Sequence, residues 1–164
     1  MKMSINKEPL LSVLVMAYRR KEFIMEAIES VLNQTIPRSD YEIVCLVGFH
    51  DDNLSAFFQR NSIKEIFCDG KMDQTIASGI AAFSSDVVVF IEDGDKFGSD
   101  KLERVLQAFK KYNCVYYHNN TELIDENSRL ILGSISPYDM QIASSLPLES
   151  DPWISQCFKT QRGL

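Results

Sequence analysis

The chain has 164 residues, 45% of them hydrophobic and 24% charged, with seven glycines, five prolines and a formal net charge of −6. That composition suits one globular domain with a single core, spanning residues 1–164, and excludes a low-complexity or disordered chain. The negative charge argues against nucleic-acid binding, because the chain would repel a phosphate backbone; a phosphate ligand would need a divalent cation between the two.

Leu10 to Ala17 (LLSVLVMA) is short, continuous and apolar, the pattern of a strand buried on both faces. From Lys21 to Leu32 the apolar residues Phe23, Ile24, Ala27, Ile28, Val31 and Leu32 recur at helical spacing, opposite Glu22, Glu26 and Glu29, and Pro37 stops the helix. Glu42 to Val47 predicts a second buried strand, Leu54 to Phe58 a short helix, and Ile63 to Cys68 a third strand. Met72 to Phe83 reads as a helix and Val87 to Ile91 as a fourth strand. Ser99 offers an N-cap and Asp100 a favourable charge for a helix carrying Leu102, Val105, Leu106 and Phe109 on one stripe. Cys114 to Tyr117 predicts a fifth strand, and Glu122 to Leu132 a β-hairpin turning at Glu126-Asn127-Ser128. Beyond Gly133 the pattern weakens into an irregular tail around one amphipathic segment.

Alternating strands and helices predict an α/β fold, a mostly parallel sheet with helices on both faces, followed by a C-terminal hairpin. The four cysteines, Cys45, Cys68, Cys114 and Cys157, are widely spaced and read as reduced, mostly buried thiols. No segment approaches the ~18 apolar residues of a membrane span, and the opening MKMSINKEPLL has no signal-peptide core. These features point to a cytoplasmic protein, at most peripheral at the cytosolic face of a membrane.

The stretch FIEDGDKF, residues 90–97, places Glu92, Asp93 and Asp95 at the end of the fourth strand. In sheets of this class ligands bind beyond the carboxyl ends of the strands, where strand order reverses. A solvated turn or helix-capping charge is one account of these acids. A calcium loop beginning at Asp93 fails, because its fifth and twelfth positions fall on Phe97 and Arg104. A third account takes the chain as extended, so that Asp93 and Asp95 share a face across Gly94. Two convergent carboxylates suit Mg²⁺ or Mn²⁺ that also takes oxygens from a substrate diphosphate. No GxGxxG, GxxxxGK[ST], GxSxG or HExxH motif is present, and there are only two histidines, His50 and His118.

Taken together, Ala17-Tyr18-Arg19-Arg20, Ser30-Val31-Leu32-Asn33-Gln34-Thr35, Gly79-Ile80-Ala81-Ala82 and Val89-Phe90-Ile91-Glu92-Asp93-Gly94-Asp95 resemble the inverting glycosyltransferase family 2 enzymes of the GT-A fold. The resemblance covers residues 10–110. It implies a Rossmann-like nucleotide-sugar-binding half over 8–118, with 119–164 the start of, or a reduced, acceptor-side region. The implied reaction is metal-dependent, inverting transfer of a sugar from a nucleotide diphosphate-sugar donor to a hydroxyl of a glycan, lipid or protein. Ala17 and Tyr18 would border the nucleoside, Asp93 would approach the ribose and metal, and Asp95 would be the principal metal ligand. Two departures matter. The family's base-binding aspartate position falls in Val47-Gly48-Phe49-His50, with Asp51 and Asp52 shifted along. Its basic residue near the donor is missing, with Lys71 the nearest replacement. No catalytic base stands out among Glu122, Asp125, Asp139, Glu149 and Asp151, which leaves a non-catalytic nucleotide-sugar-binding or interaction module of the same fold as the alternative.

Overall fold

The LSVLVMA run forms strand β1, Leu11–Ala17, in which every residue except Met16 is buried. In this computed structural model, residues 8–17, 20–68, 72–112, 114–118, 121–135 and 156–159 are described. They belong to two compact units, the first ending at Arg104 and the second beginning at Val105.

In the first unit, β1 is followed by helix α1 (Ile24–Leu32), a turn of 3-10 helix (Arg38–Asp40), strand β2 (Tyr41–Val47), helix α2 (Asp52–Arg60), strand β3 (Ile63–Phe67), helix α3 (Met72–Ala81), and strand β4 (Val88–Glu92). The four strands pair in the order β3-β2-β1-β4, all parallel. β1 is therefore bonded on both sides, with Ser12–Ala17 in register with Glu42–Val47 and Ser12–Met16 with Val88–Glu92. Parallel crossovers are right-handed, so the step from β1 outward to β3 and the return across to β4 place α3 on the face opposite α1 and α2.

The α3 face is packed closely. Leu14, Val44 and Leu46 are buried there, with Met16, Ile66, Ile76, Ala82 and Phe83 around them. Gly79 of α3 lies so near the sheet that an added Cβ would stand 2.9 Å from Leu14 Cδ1 and 3.1 Å from Leu46 Cδ2. The Gly-Ile-Ala-Ala motif thus marks a close helix–sheet contact, where even one methyl group overpacks the core.

The amino end of the sheet is tied by a polar cluster. Ser12, wholly buried, donates from Oγ to Glu42 at 2.6 Å, and its Oγ lies 2.6 Å from that of Ser85. Ser84 adds its N–H at 2.6 Å and its hydroxyl at 2.9 Å to the same Glu42 oxygen. One carboxylate thereby joins β1, β2 and the approach to β4.

Helix α4 (Lys101–Tyr112) crosses the division between the units. Because it starts at Lys101, the cap position falls on Asp100 rather than on Ser99, and the Asp100 carboxylate accepts from Arg104 Nε at 2.7 Å. In the second unit, strands β5 (Cys114–His118), β6 (Glu122–Ile124), β7 (Leu130–Ile135) and β8 (Gln156–Lys159) make two antiparallel pairs, β5 with β8 and β6 with β7. The expected hairpin is present, with Ser128 at φ 60° and the Asp125 carboxylate accepting from the N–H groups of Asn127 and Arg129. The fifth strand differs from expectation: its partner is antiparallel and comes from the tail that the sequence pattern leaves irregular. The amphipathic segment expected in that tail lies outside the described residues. Cys45 and Cys68 are free and buried. The side chains of Cys114 and Cys157 lie outside the described set.

Burial acts against ionisation of Glu42, but hydrogen bonds from Ser12 and Ser84 and the charge of Lys64 outweigh it and hold its pKa below the ordinary value of 4.5. A lowered folded-state pKa contributes stability above 4.5 that is lost as pH falls through the folded value. Glu42→Gln should therefore cost about 1 kcal/mol at neutral pH, and the deficit should shrink in acid, as read by denaturant unfolding at several pH values.

Candidate functional site

Strand order reverses at β1, and the acidic stretch stands at the carboxyl ends of β1 and β4, the place where sheets of this class bind ligands. β4 ends at Glu92, and the Asp93 N–H still bonds the Met16 carbonyl of β1 at 3.2 Å. The chain then turns, with the Asp95 N–H donating to the Glu92 carbonyl at 3.1 Å. Asp93 and Asp95 are thus related by a tight turn and not by the pleat of an extended strand, as the sequence spacing suggests.

The two acids have different surroundings. Asp93 is buried at 7% exposure, and its Oδ2 accepts the Arg20 N–H at 2.7 Å, which links the β4 end to the chain leaving β1. Asp95 is exposed at the rim, yet nearby protein raises its pKa through desolvation; the Arg20 charge pulls it down and Asp93 pushes it up again. The Arg20 side chain lies across Gly94, where a Cβ would stand 3.2 Å from both its Cδ and Cζ. A side chain at this position would have to displace the movable end of Arg20, which glycine leaves in place. Arg20 thereby places a guanidinium beside the acidic turn. In the sequence, Arg20 closes the Ala-Tyr-Arg-Arg run.

The Ser-Val-Leu-Asn-Gln-Thr motif grips the loop that follows Asp95. Ser30 Oγ accepts the Phe97 N–H at 3.0 Å. The Gln34 amide donates to the Gly98 carbonyl at 2.9 Å and accepts the Leu102 N–H at 2.9 Å. Thr35 donates its N–H to the Ser99 carbonyl at 2.8 Å and its hydroxyl to Glu103 at 2.8 Å. Lys96 pairs with Glu26 at 3.1 Å. These bonds run from α1 and the residues just after it to 96–103, so the acidic turn is anchored on a rigid element.

Ala17 ends β1 with no exposed surface, and its carbonyl accepts the Gly48 N–H at 3.1 Å; what it supplies is close packing at the end of β1. Tyr18 and Lys71 lie outside the described residues. Asp51 caps α2, its Oδ1 accepting from the N–H groups of Asn53 and Leu54 at 3.0 and 3.1 Å, and its Oδ2 meets Lys21 Nζ at 2.7 Å. The Lys21 hydrogen bond first, then the Leu54 N–H, holds its carboxyl below the ordinary range. Asp51 is therefore engaged at the helix end. Beside it, the His50 ring stacks on Phe67.

Asp95, exposed at the turn, is a hard carboxylate accessible to a divalent cation, whereas Asp93 is buried and hydrogen-bonded. That suits Mg²⁺ or Mn²⁺ whose remaining positions go to substrate oxygens and water. Among the described residues no group of three or more His, Cys, Asp or Glu side chains is placed to hold a metal ion.

The sequence model of Glycosyl transferase family 2 matches residues 12–153. The chain belongs to that family. Among curated family relatives, an uncharacterized glycosyltransferase of Nostoc is 29% identical over 128 residues, covering 74% of this chain and 39% of its own length. The poly(ribitol-phosphate) beta-glucosyltransferase of Bacillus spizizenii is 27% identical over 104 residues, covering 57% of this chain and 16% of its own. This family-2 chain thus spans less than half the length of these relatives. Among solved structures, S. aureus TarS 1-349 in complex with UDP-GlcNAc superimposes with a TM-score of 0.57 at 15% identity, over 72% of this chain and 41% of that one. The mannosyltransferase PcManGT of Pyrobaculum calidifontis, in complex with GDP-Man and Mn²⁺, gives 0.51 at 15% identity, over 73% and 36%. The GT-A fold is common to all three. Among the described residues no helix is long and apolar enough to cross a membrane.

Gln34→Ala removes the hydrogen bonds at both ends of the loop 98–102. It should lower stability by roughly 1–2 kcal/mol and speed amide exchange at Leu102, leaving the amides of β1 and β2 protected, as hydrogen exchange would show.

Proposed function

We propose that this chain holds the nucleotide diphosphate part of an activated sugar along the carboxyl edge of its sheet, and that it serves metal-dependent, inverting transfer of that sugar to an acceptor hydroxyl. The observation that carries the reading is the acidic turn at the strand-order reversal, with Asp93 tied to the β1 exit and Arg20 laid over Gly94. The ligands named for the similar structures, UDP-GlcNAc for TarS and GDP-Man with Mn²⁺ for PcManGT, support a nucleotide-sugar donor and a divalent cation.

In this reading Asp95 is the principal ligand of Mn²⁺ or Mg²⁺ and Asp93 faces the ribose and metal region while fixing the Arg20 backbone. A cation bound there supplies Lewis-acid stabilisation of the departing diphosphate. Arg20 offsets negative charge beside the turn, and α1 holds the turn still while the donor binds. Tyr18 and Lys71 border the nucleotide, and Ala17 packs beneath it. Inversion requires a carboxylate that deprotonates the acceptor hydroxyl as it attacks. Asp125 is occupied by its hairpin turn, and Asp139, Glu149 and Asp151 lie outside the described residues, so that role is left unassigned. The acceptor is a hydroxyl of a glycan, lipid or protein, and the donor's use keeps the chain in the cytoplasm or at the cytosolic face of a membrane.

A second reading, a non-catalytic nucleotide-sugar-binding module, is favoured by one observation: Asp51, the acid nearest the family's base-binding position, is taken up by α2 and Lys21. Donor turnover separates the two readings.

Thermal unfolding with UDP, GDP, CDP and ADP, each with and without Mn²⁺, tests donor binding. A ligand at a hundredfold excess over its Kd stabilises the native state by about 2.7 kcal/mol. At least one nucleotide should raise the melting temperature in a Mn²⁺-dependent way, and Asp95→Ala should remove that dependence with the fold intact. Absence of any shift with Mn²⁺ present would sink the reading.

A further inference from the structure

We propose that the stacked pair His50–Phe67 is the platform on which the donor's base lies, so that the base is held by its face instead of being read at its edge. This rests on the donor-site reading above and names residues for its nucleoside end.

The placement comes first. Phe67 is the last residue of β3, paired in register with Val47, the last residue of β2, and His50 follows three positions after Val47. Both rings therefore stand at the carboxyl edge, on the same rim as the acidic turn but at the other end of it. Their centroids are 4.1 Å apart and their planes differ by 11°, a parallel stack. Phe67 keeps 47% exposure and His50 is exposed as well, so the pair is a surface feature and not part of the core. A large aromatic left open at a strand end, already stacked with a second ring, is prepared to accept a third.

Edge readout at the β2 end is poorly served. Val47 and Gly48 present no polar side-chain atom, Asp51 is committed to the α2 cap and to Lys21, and Asp52 is exposed in the first turn of α2. Face stacking needs no such partner, because every base has a π face. The span also fits. With strand order β3-β2-β1-β4, the β3 end lies three strand intervals of about 4.8 Å from the β4 end, roughly 14 Å in all. An extended nucleoside diphosphate with its base on the β2–β3 side reaches across β1 toward Asp95.

The consequence is tolerance of base identity, which calorimetric titration of UDP, GDP and ADP in Mn²⁺ measures, with inorganic pyrophosphate as a base-free probe. Phe67→Ala and His50→Ala should each weaken all three nucleotides by about tenfold, to similar extents, and leave pyrophosphate binding unchanged. Phe67→Tyr and His50→Phe, which keep a ring, should bind like the parent. Phe67→Leu keeps apolar bulk without a π face and should behave as the alanine variant does, which guards against simple loss of folding. The platform is overturned if the alanine variants bind nucleotides normally, if pyrophosphate weakens in parallel, or if the loss is confined to one base. Should neither nucleotides nor pyrophosphate bind the parent protein, the donor-site reading itself fails and the platform with it.

Discussion

Everything at the candidate site depends on one topological constraint, the reversal of strand order at β1. A strand bonded on both sides cannot be an edge, and its residues are buried on both faces, which is why Leu11, Val13, Leu14, Val15 and Ala17 have no exposed surface. The end of β4 and the chain leaving β1 are joined where Asp93 accepts the Arg20 N–H, and the segment that follows is bonded along α1. The Ser12–Glu42 cluster serves the opposite end of the same strands, so polar groups tie the sheet at its amino edge as well.

Helix α1 links packing to the site. Its buried residues Ile24, Ala27, Ile28 and Val31 form its core stripe, and the same element carries Glu26 and Ser30 to the loop after Asp95, with Gln34 and Thr35 just beyond its end. Burial of the apolar stripe fixes the helix, and the fixed helix positions a turn that has few apolar contacts of its own. Precision in a binding loop is gained here from a neighbouring rigid element.

Much of this was legible in the sequence because the first unit obeys local periodicity. Three of its four strands, β1, β2 and β4, are short and mostly apolar, β3 keeps Ile63, Ile66 and Phe67 around two charged residues, and α1 and α4 have clear helical stripes. The hairpin was legible from its turn residues. The pairing of β5 with Gln156–Lys159 was not, since a four-residue strand in a proline-punctuated tail has no periodicity, and pairing across some forty positions leaves no local trace. Within the site, the proximity of Asp93 and Asp95 followed from spacing, although the structure produces it by a turn. Arg20 went unassigned because nothing in a linear pattern says that a residue just after β1 lies over Gly94. His50 and Phe67 were opaque for the same reason: their stack exists only because β2 and β3 end side by side.

The position of Arg20 also bears on encounter rates. A protein of net charge −6 repels any anion at long range, and that repulsion slows association more at low ionic strength than at high. A guanidinium resting on the acidic turn partly cancels the charge that an approaching diphosphate meets over the last few ångströms. The long-range field and the local one therefore differ in strength at the acidic turn.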